Sequence, residues 1–274
     1  MAGQTTPAGS PRPRQRASDN PDPFFATTLA RGLLLLDAFR AGETWLSNAE
    51  LSARTGISRP TVSRLASTLV KLSYLDKGNA GRYRLGMRLL GIIYPLLASF
   101  RVRQLARPLM RDFAEKAGGA VSIGVIEGVN LVYIETARAA QPFPHLPEIG
   151  FSCALYSTAG GRAAMSVKTD TELAALHAKV KAEQPGLHRD MRRNALAGIA
   201  DCRSLGFCVA LGDWRPEIFA TGTPLMRTVE GDCLALNCGI PSYRTTADEM
   251  REVHGPRLMG LARAVNALIE RESA

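Results

Sequence analysis

A chain of 274 residues, 46% hydrophobic and 22% charged, has the make-up of a folded protein and length enough for two modest domains. No run of eighteen apolar residues occurs, which argues against a membrane-spanning helix, and residues 1–23 lack the apolar stretch of a signal peptide. The net charge of +9 is uneven: residues 24–85 carry nine basic and four acidic side chains, whereas residues 86–274 carry 22 and 19.

Residues 1–23, rich in Gly, Pro, Ser and Arg, read as a disordered leader. A first folded domain is then expected over residues 24–86. Leu29, Leu33, Leu36 and Phe39 fall on one helical face, and Gly42 follows as a stop. Ser47 and Glu50 form a capping box at the head of a short helix over 48–55. Gly56 supplies the turn, because it takes a positive φ without a Cβ clash. Ser58 can cap the next helix, with Pro60 tolerated in its first turn.

Leu51, Ile57, Val62 and Leu65 sit where a helix-turn-helix needs apolar contacts, with Thr55 a weaker packing residue. Arg59, Thr61, Ser63, Arg64 and Ser67 are left to point outward. Tyr74–Asp76 and Arg82–Leu85 read as two short strands around the tip Lys77–Gly81, the wing of a winged helix-turn-helix. A major groove admits such a helix, so Arg59 and Arg64 could grip guanine or phosphate, and Thr61 and Ser63 could donate to either. Lys77, Arg82 and Arg84 on the wing would meet phosphate. A protein-binding helix with a solvated charged face is the plainer alternative.

Residues 87–106 read as a linker helix, apolar at Leu89, Leu90, Ile92, Ile93, Leu96 and Leu97 and interrupted at Pro95. Residues 107–274 then form a second domain. A helix over 107–117 ends at Gly118–Gly119, and a hairpin follows around Glu127–Asn130. Strands are predicted at 206–211, 218–226 and 233–239, and helices at 158–168, 170–182, 186–204 and 246–270. The content is α/β. "TAGGRAA" at 158–164 either offers free N–H groups to a carboxylate at a helix start or is a tight turn that needs glycine.

Signals for enzyme chemistry are weak. GxSxG, HExxH and P-loop spacings are absent. The histidines, His145, His177, His188 and His254, show no metal spacing, and no cofactor motif occurs. Cys153, Cys202, Cys208, Cys233 and Cys238 are odd in number and lack CxxC spacing, which fits free thiols in a reducing cytoplasm. An enzyme using Cys153, Cys238 or a histidine is kept as a rival reading, as is a ligand-independent architectural DNA binder.

Several stretches resemble the isocitrate lyase regulator (IclR) family of bacterial transcription factors. They are "TLARGLLLLDAF", "LSNAELSARTGISRPTVSRLASTL" and "GRYRLGMRLL" in the first part, and "YSTAGGRAAM", "GFCVALGDWRPEIFATGTPL", "ALNCGIPSYR" and "GPRLMGLARAVNALI" in the second. The likeness runs from about residue 25 to 271. It implies an N-terminal winged helix-turn-helix domain, a linker helix that also dimerises, and a C-terminal GAF-like α/β effector-binding domain. It further implies dimers or tetramers on pseudo-palindromic double-stranded DNA and a small organic acid as effector.

Carried over by position, Ala159 and Gly160 would offer backbone N–H groups to a carboxylate. Asp213, Thr221, Thr223, Asn237 and Gly239 would line the other side of that pocket, with Cys153 an apolar contributor. Asp213 stands where many relatives carry glutamate, which puts its reach in question. Phe143 and His145 in "PFPH" fall near the expected mouth, where a larger or aromatic acid would be favoured, although Phe143 could equally be packed.

Overall fold

The computed structural model describes residues 23–140, 147–186, 189–228 and 230–273. Phe143, His145 and His188 lie outside them. The chain divides into two compact units at Ser99.

In the first unit, α1 (Thr27–Asp37), α2 (Asn48–Thr55) and α3 (Arg59–Lys71) precede the hairpin β1 (Leu75–Lys77) and β2 (Tyr83–Leu85). The capping box forms: Ser47 N–H donates to Glu50 Oε2 at 2.7 Å, and Glu50 N–H to Ser47 Oγ at 3.2 Å. Gly56 closes α2 at φ 72°. Leu51, Ile57, Val62 and Leu65 meet Leu35, Leu46 and Tyr83 in one core. Leu46 and Tyr83 exchange backbone hydrogen bonds of 2.8 and 2.7 Å, which ties the wing to the segment before α2.

Three local expectations differ. Leu35, not Leu29 or Leu33, is the buried residue of α1; Leu29 and Leu33 are 64% and 53% exposed. An unbroken run of four leucines offers an apolar residue in every direction, so periodicity alone cannot select the inward face. Ser58 takes the N-cap position of α3, but its hydroxyl donates to Thr61 Oγ1 at 3.0 Å rather than accepting from the helix backbone. The predicted linker over 87–106 spans two helices, α4 (Arg88–Ser99) and the start of α5 (Val102–Ala117). Pro95 lies inside α4 without ending it. The break comes after Ser99, whose hydroxyl donates to Leu96 O at 2.7 Å and so competes with the helical ladder.

The second unit is built on an antiparallel sheet of β3 (Ala120–Glu127), β4 (Asn130–Arg138), β5 (Ser152–Ala154), β6 (Cys208–Leu211), β7 (Ile218–Pro224) and β8 (Leu234–Pro241). Its order is β5-β4-β3-β8-β7-β6. On one face pack α6 (Ala159–Ser166), α7 (Asp170–Glu183) and α8 (Arg189–Leu205); on the other pack α5 and α10 (Gly255–Ser273). The closing helix predicted over 246–270 is instead the single turn α9 (Ala247–Glu249), a π turn over Met250–His254, and α10.

A bulge in β4 decides which residues face which layer. Ile123 pairs with Glu135 and Gly124 with Tyr133, so one extra residue lies on β4 between the two pairs. Tyr133 and Glu135, two apart, therefore point to opposite faces of the sheet. Glu135 meets Arg103 and Arg107 of α5 at 3.3 and 2.8 Å, while Tyr133 faces the α6 side.

Candidate functional site

The outward row of α3 is the first candidate. Arg59, Arg64 and Ser67 are exposed, and Thr61 is half-buried. Among the described residues neither arginine has an ion-pair partner. Ser63 accepts a 2.7 Å hydrogen bond from Asn48 Nδ2, whose amide also donates to Arg59 O, so part of its capacity locks α2 to α3.

Two of the wing cations already have partners within the unit. Arg84 pairs with Asp76 Oδ2 at 3.0 Å and lies over the Trp45 ring at 5.1 Å, so it braces the hairpin. Arg82 donates to Trp45 O at 2.9 Å, which occupies one of its nitrogens. Lys77 is exposed, with no partner among the described residues.

The second candidate is a cavity of about 30 Å³ between α6 and the sheet. Its polar lining includes Ser157, Thr158, Asp213 and Asn237; Tyr133, Phe151 and Trp214 supply aromatic walls. Phe151 stacks on Tyr133 at 6.2 Å and meets Trp214 edge-on at 5.7 Å. Cys153, Ala159 and Gly239 also line it.

The short helix α6 can lie this close to the sheet because its residues are small. A Cβ on Gly160 would stand 2.9 Å from Asn237 Cβ, and one on Gly222 would stand 2.3 Å from Ala159 O. Thr158 caps the helix, its Oγ1 accepting from Gly161 N–H at 3.0 Å.

Gly160 does not present a free N–H, contrary to expectation: it donates to Asn237 Oδ1 at 3.0 Å. That bond fixes the amide orientation and leaves Asn237 Nδ2, on a side chain only 7% exposed, without a partner among the described residues. The Ala159 N–H is likewise unpartnered there. The Ala159 N–H and Asn237 Nδ2 are thus two donors at the start of α6, in a lining that also carries Tyr133, Thr158 and Trp214. Thr221 and Thr223 are also corrected. They pair with Cys238 and Leu236, so strand parity turns them away from the face that carries Asn237 and Gly239. Their hydroxyls donate to Cys208 O and Gly206 O at 3.0 and 2.8 Å.

Asp213 lines the cavity but is already engaged. Arg162 Nη2 lies 2.6 Å from its Oδ2, and Asn194 Nδ2 donates to its Oδ1 at 3.1 Å. Arg162 also donates to Tyr156 O, and Gly198 of α8 leaves room for its stem. Every residue of α6 is buried. A lone arginine in a run of small residues was the available signal that a buried carboxylate partner must exist.

The thiols do not suit nucleophilic chemistry. Burial pushes Cys153 and Cys238 up to about 12, and Tyr133 well above the usual phenol range. All five cysteines are free and buried. His177 meets Tyr156 Oη through Nδ1, and burial lowers its pKa. Among the described residues no group of three metal-ligating side chains occurs, and no single helix is long and apolar enough to cross a membrane.

Comparison with known proteins decides what this pair of sites belongs to. The model of the IclR helix-turn-helix domain matches residues 28–78, and that of the bacterial transcriptional regulator IclR C-terminal domain matches 95–267. The chain belongs to the IclR family. It is a transcriptional regulator and not an enzyme. The Pca regulon regulatory protein of Pseudomonas putida is 27% identical over 245 residues, covering 88% of this chain and 84% of that protein. An IclR-family regulator from Brucella abortus superposes with a TM-score of 0.79 at 28% identity, covering 95% of this chain and 98% of that one. An IclR homologue from Microbacterium hydrocarbonoxydans, solved in complex with 4-hydroxybenzoate, has a TM-score of 0.70 at 19% identity, covering 88% and 98%. That likeness is one of fold. The helix-turn-helix match contains α2 and α3, and the cavity beside α6 lies within the stretch matched by the IclR C-terminal model.

Proposed function

We propose that this regulator binds a pseudo-palindromic double-stranded operator in the cytoplasm as a homo-oligomer, dimer or tetramer. A small carboxylated metabolite, aromatic acids included, modulates its operator affinity. The observation that carries the effector reading is the buried Asn237 amide beside the Ala159 N–H at the start of α6. Together they supply two donors with no partner among the described residues. A carboxylate satisfies both and suits the positive end of a helix. The aromatic walls, and the 4-hydroxybenzoate bound by the Microbacterium hydrocarbonoxydans homologue, support the inclusion of aromatic acids.

The ligand shifts a population between two states. About 1.4 kcal/mol of differential affinity moves that balance tenfold. DNA is met by Arg59, Thr61, Arg64 and Ser67, with Lys77 on the wing and smaller contributions from Ser63, Arg82 and Arg84. The oligomer is favoured by α4, where Leu90, Ile92, Ile93, Tyr94 and Leu96 are exposed and no residue is buried.

Selection of random duplex DNA by the purified protein tests the reading, followed by effector titration against the selected site. A palindromic consensus whose binding changes with a carboxylic acid is the expected result. A consensus indifferent to a broad panel of acids would remove the sensor.

A further inference from the structure

We infer that Trp45 is a positioning residue for DNA binding: its ring sets the place of the wing tip, and with it the reach of Lys77 to the phosphate backbone. The inference rests on the operator reading above, in which Lys77 meets DNA. Lys77 and Tyr83 are the last paired residues of a hairpin with three residues in each strand. A two-stranded hairpin is at best marginal in water on its own. Beyond that pair, Gly78 N–H donates to Arg82 O at 2.9 Å, and Arg82 N–H reaches Asn79 O only at 3.4 Å. The tip therefore depends on support from outside the hairpin.

Trp45, in the segment before α2, gives that support to both strands. Its six-membered ring occupies the space that a side chain at Gly78 would need: a Cβ there would stand 2.5 Å from Trp45 Cζ3 and 2.6 Å from Cη2. Gly78 has φ −97° and ψ −170°, extended backbone open to any residue. Glycine is thus required at 78 by the ring and not by the turn. On β2, the Arg84 guanidinium lies 5.1 Å from the centre of the same indole, and Asp76 Oδ2 holds Arg84 Nε at 3.0 Å. Arg82 Nη2 donates to Trp45 O at 2.9 Å.

Trp45 lies two residues before Ser47, the cap of α2, and Asn48 of α2 is hydrogen-bonded to Arg59 O and Ser63 Oγ of α3. The indole therefore couples the wing to the helix pair. Phosphate contacts fix register on the duplex, so two contact elements must be held at a set spacing. Lys77 is exposed and adjoins Gly78, so it moves with whatever the ring holds. A wing released from Trp45 carries Lys77 away and leaves the outward row of α3 in place.

The test is fluorescence anisotropy of the full-length protein on the duplex obtained by random selection, between about 50 and about 200 mM salt. Lys77→Ala should make the slope of log affinity against log salt shallower by about one, the mark of a lost phosphate contact. Trp45→Leu should do the same, and the double variant should be no shallower than Trp45→Leu alone. Trp45→Phe, which keeps a ring against Gly78, should retain most of the wild-type slope. Gly78→Ala, which drives the ring off, should repeat the Trp45→Leu result and decides the matter if the leucine variant does not fold. Weaker binding at an unchanged slope, additive with Lys77→Ala, would make the indole a stability residue only and overturn the inference, with the Lys77 contact intact. A slope unmoved by Lys77→Ala would remove the wing contact itself and this inference with it.

Discussion

Arg162 Nη2 lies 2.6 Å from Asp213 Oδ2, and this ion pair joins α6 to the loop between β6 and β7. Arg162 is the largest fully buried side chain of the described residues. Removing one member of a buried pair strands the other charge. Asp213→Ala should therefore lower stability by about 3–5 kcal/mol. Arg162→Met should cost less, because Asp213 retains access to water and the methionine fills the space. Urea unfolding of both variants checks the order.

Arg64 stands exposed on α3 with no ion-pair partner among the described residues. Arg64→Ala should cost about 1–3 kcal/mol of operator binding and relax preference at a single base position. A loss equal across all sequences would assign Arg64 to phosphate instead. Competition binding against single-base operator variants separates the two.

Gly222 faces the start of α6, where an added Cβ would stand 2.3 Å from Ala159 O and 2.8 Å from Gly160 N. These are backbone atoms that no rotamer change can move. Gly222→Ala should push α6 off the sheet, with a loss of stability of about 1–3 kcal/mol, the usual cost of overpacking. Acid-induced thermal shift should be lost in whatever fraction stays folded.

Glu172 is held down to about 2, first by Arg227, whose Nη2 lies 2.5 Å from Oε1, and then by the Thr169 N–H of the α7 capping box. A carboxyl lowered on folding stabilises the protein above its ordinary value of 4.5 and loses that contribution as pH falls toward about 2. The thermal midpoint of the second unit should therefore differ most between wild type and Glu172→Gln above pH 4.5, and converge as the pH drops toward 2. A gap that widens on acidification would assign the pairing the wrong sign.

Much of the first unit could be read directly. The capping box at Ser47 and Glu50, the turn at Gly56 and the packing of Leu51, Ile57, Val62 and Leu65 depend on neighbours within a turn or two. The face of α1 could not be read, because its leucine run has no unique period.

In the second unit, elements and cavity position were legible, but the chemistry of the cavity was not. The glycines at 160 and 161 read as a helix start with free N–H groups or as a tight turn, and nothing local says that Asn237 takes the Gly160 N–H. Thr221 and Thr223 looked equivalent to Asn237 as polar strand residues until pairing with β8 set their parity.

The sequence by itself determined the capped helix starts, the glycine turns and most of the strands, because caps, turns and periodicity act over a few residues. It did not determine the break after Ser99, the π turn over Met250–His254 or the short strand β5. Only the tertiary structure decided which groups share the cavity. Arg162 meets Asp213 across 51 residues and Gly160 meets Asn237 across 77. Strand register and the β4 bulge, settled by packing of the whole sheet, choose the face on which each side chain emerges.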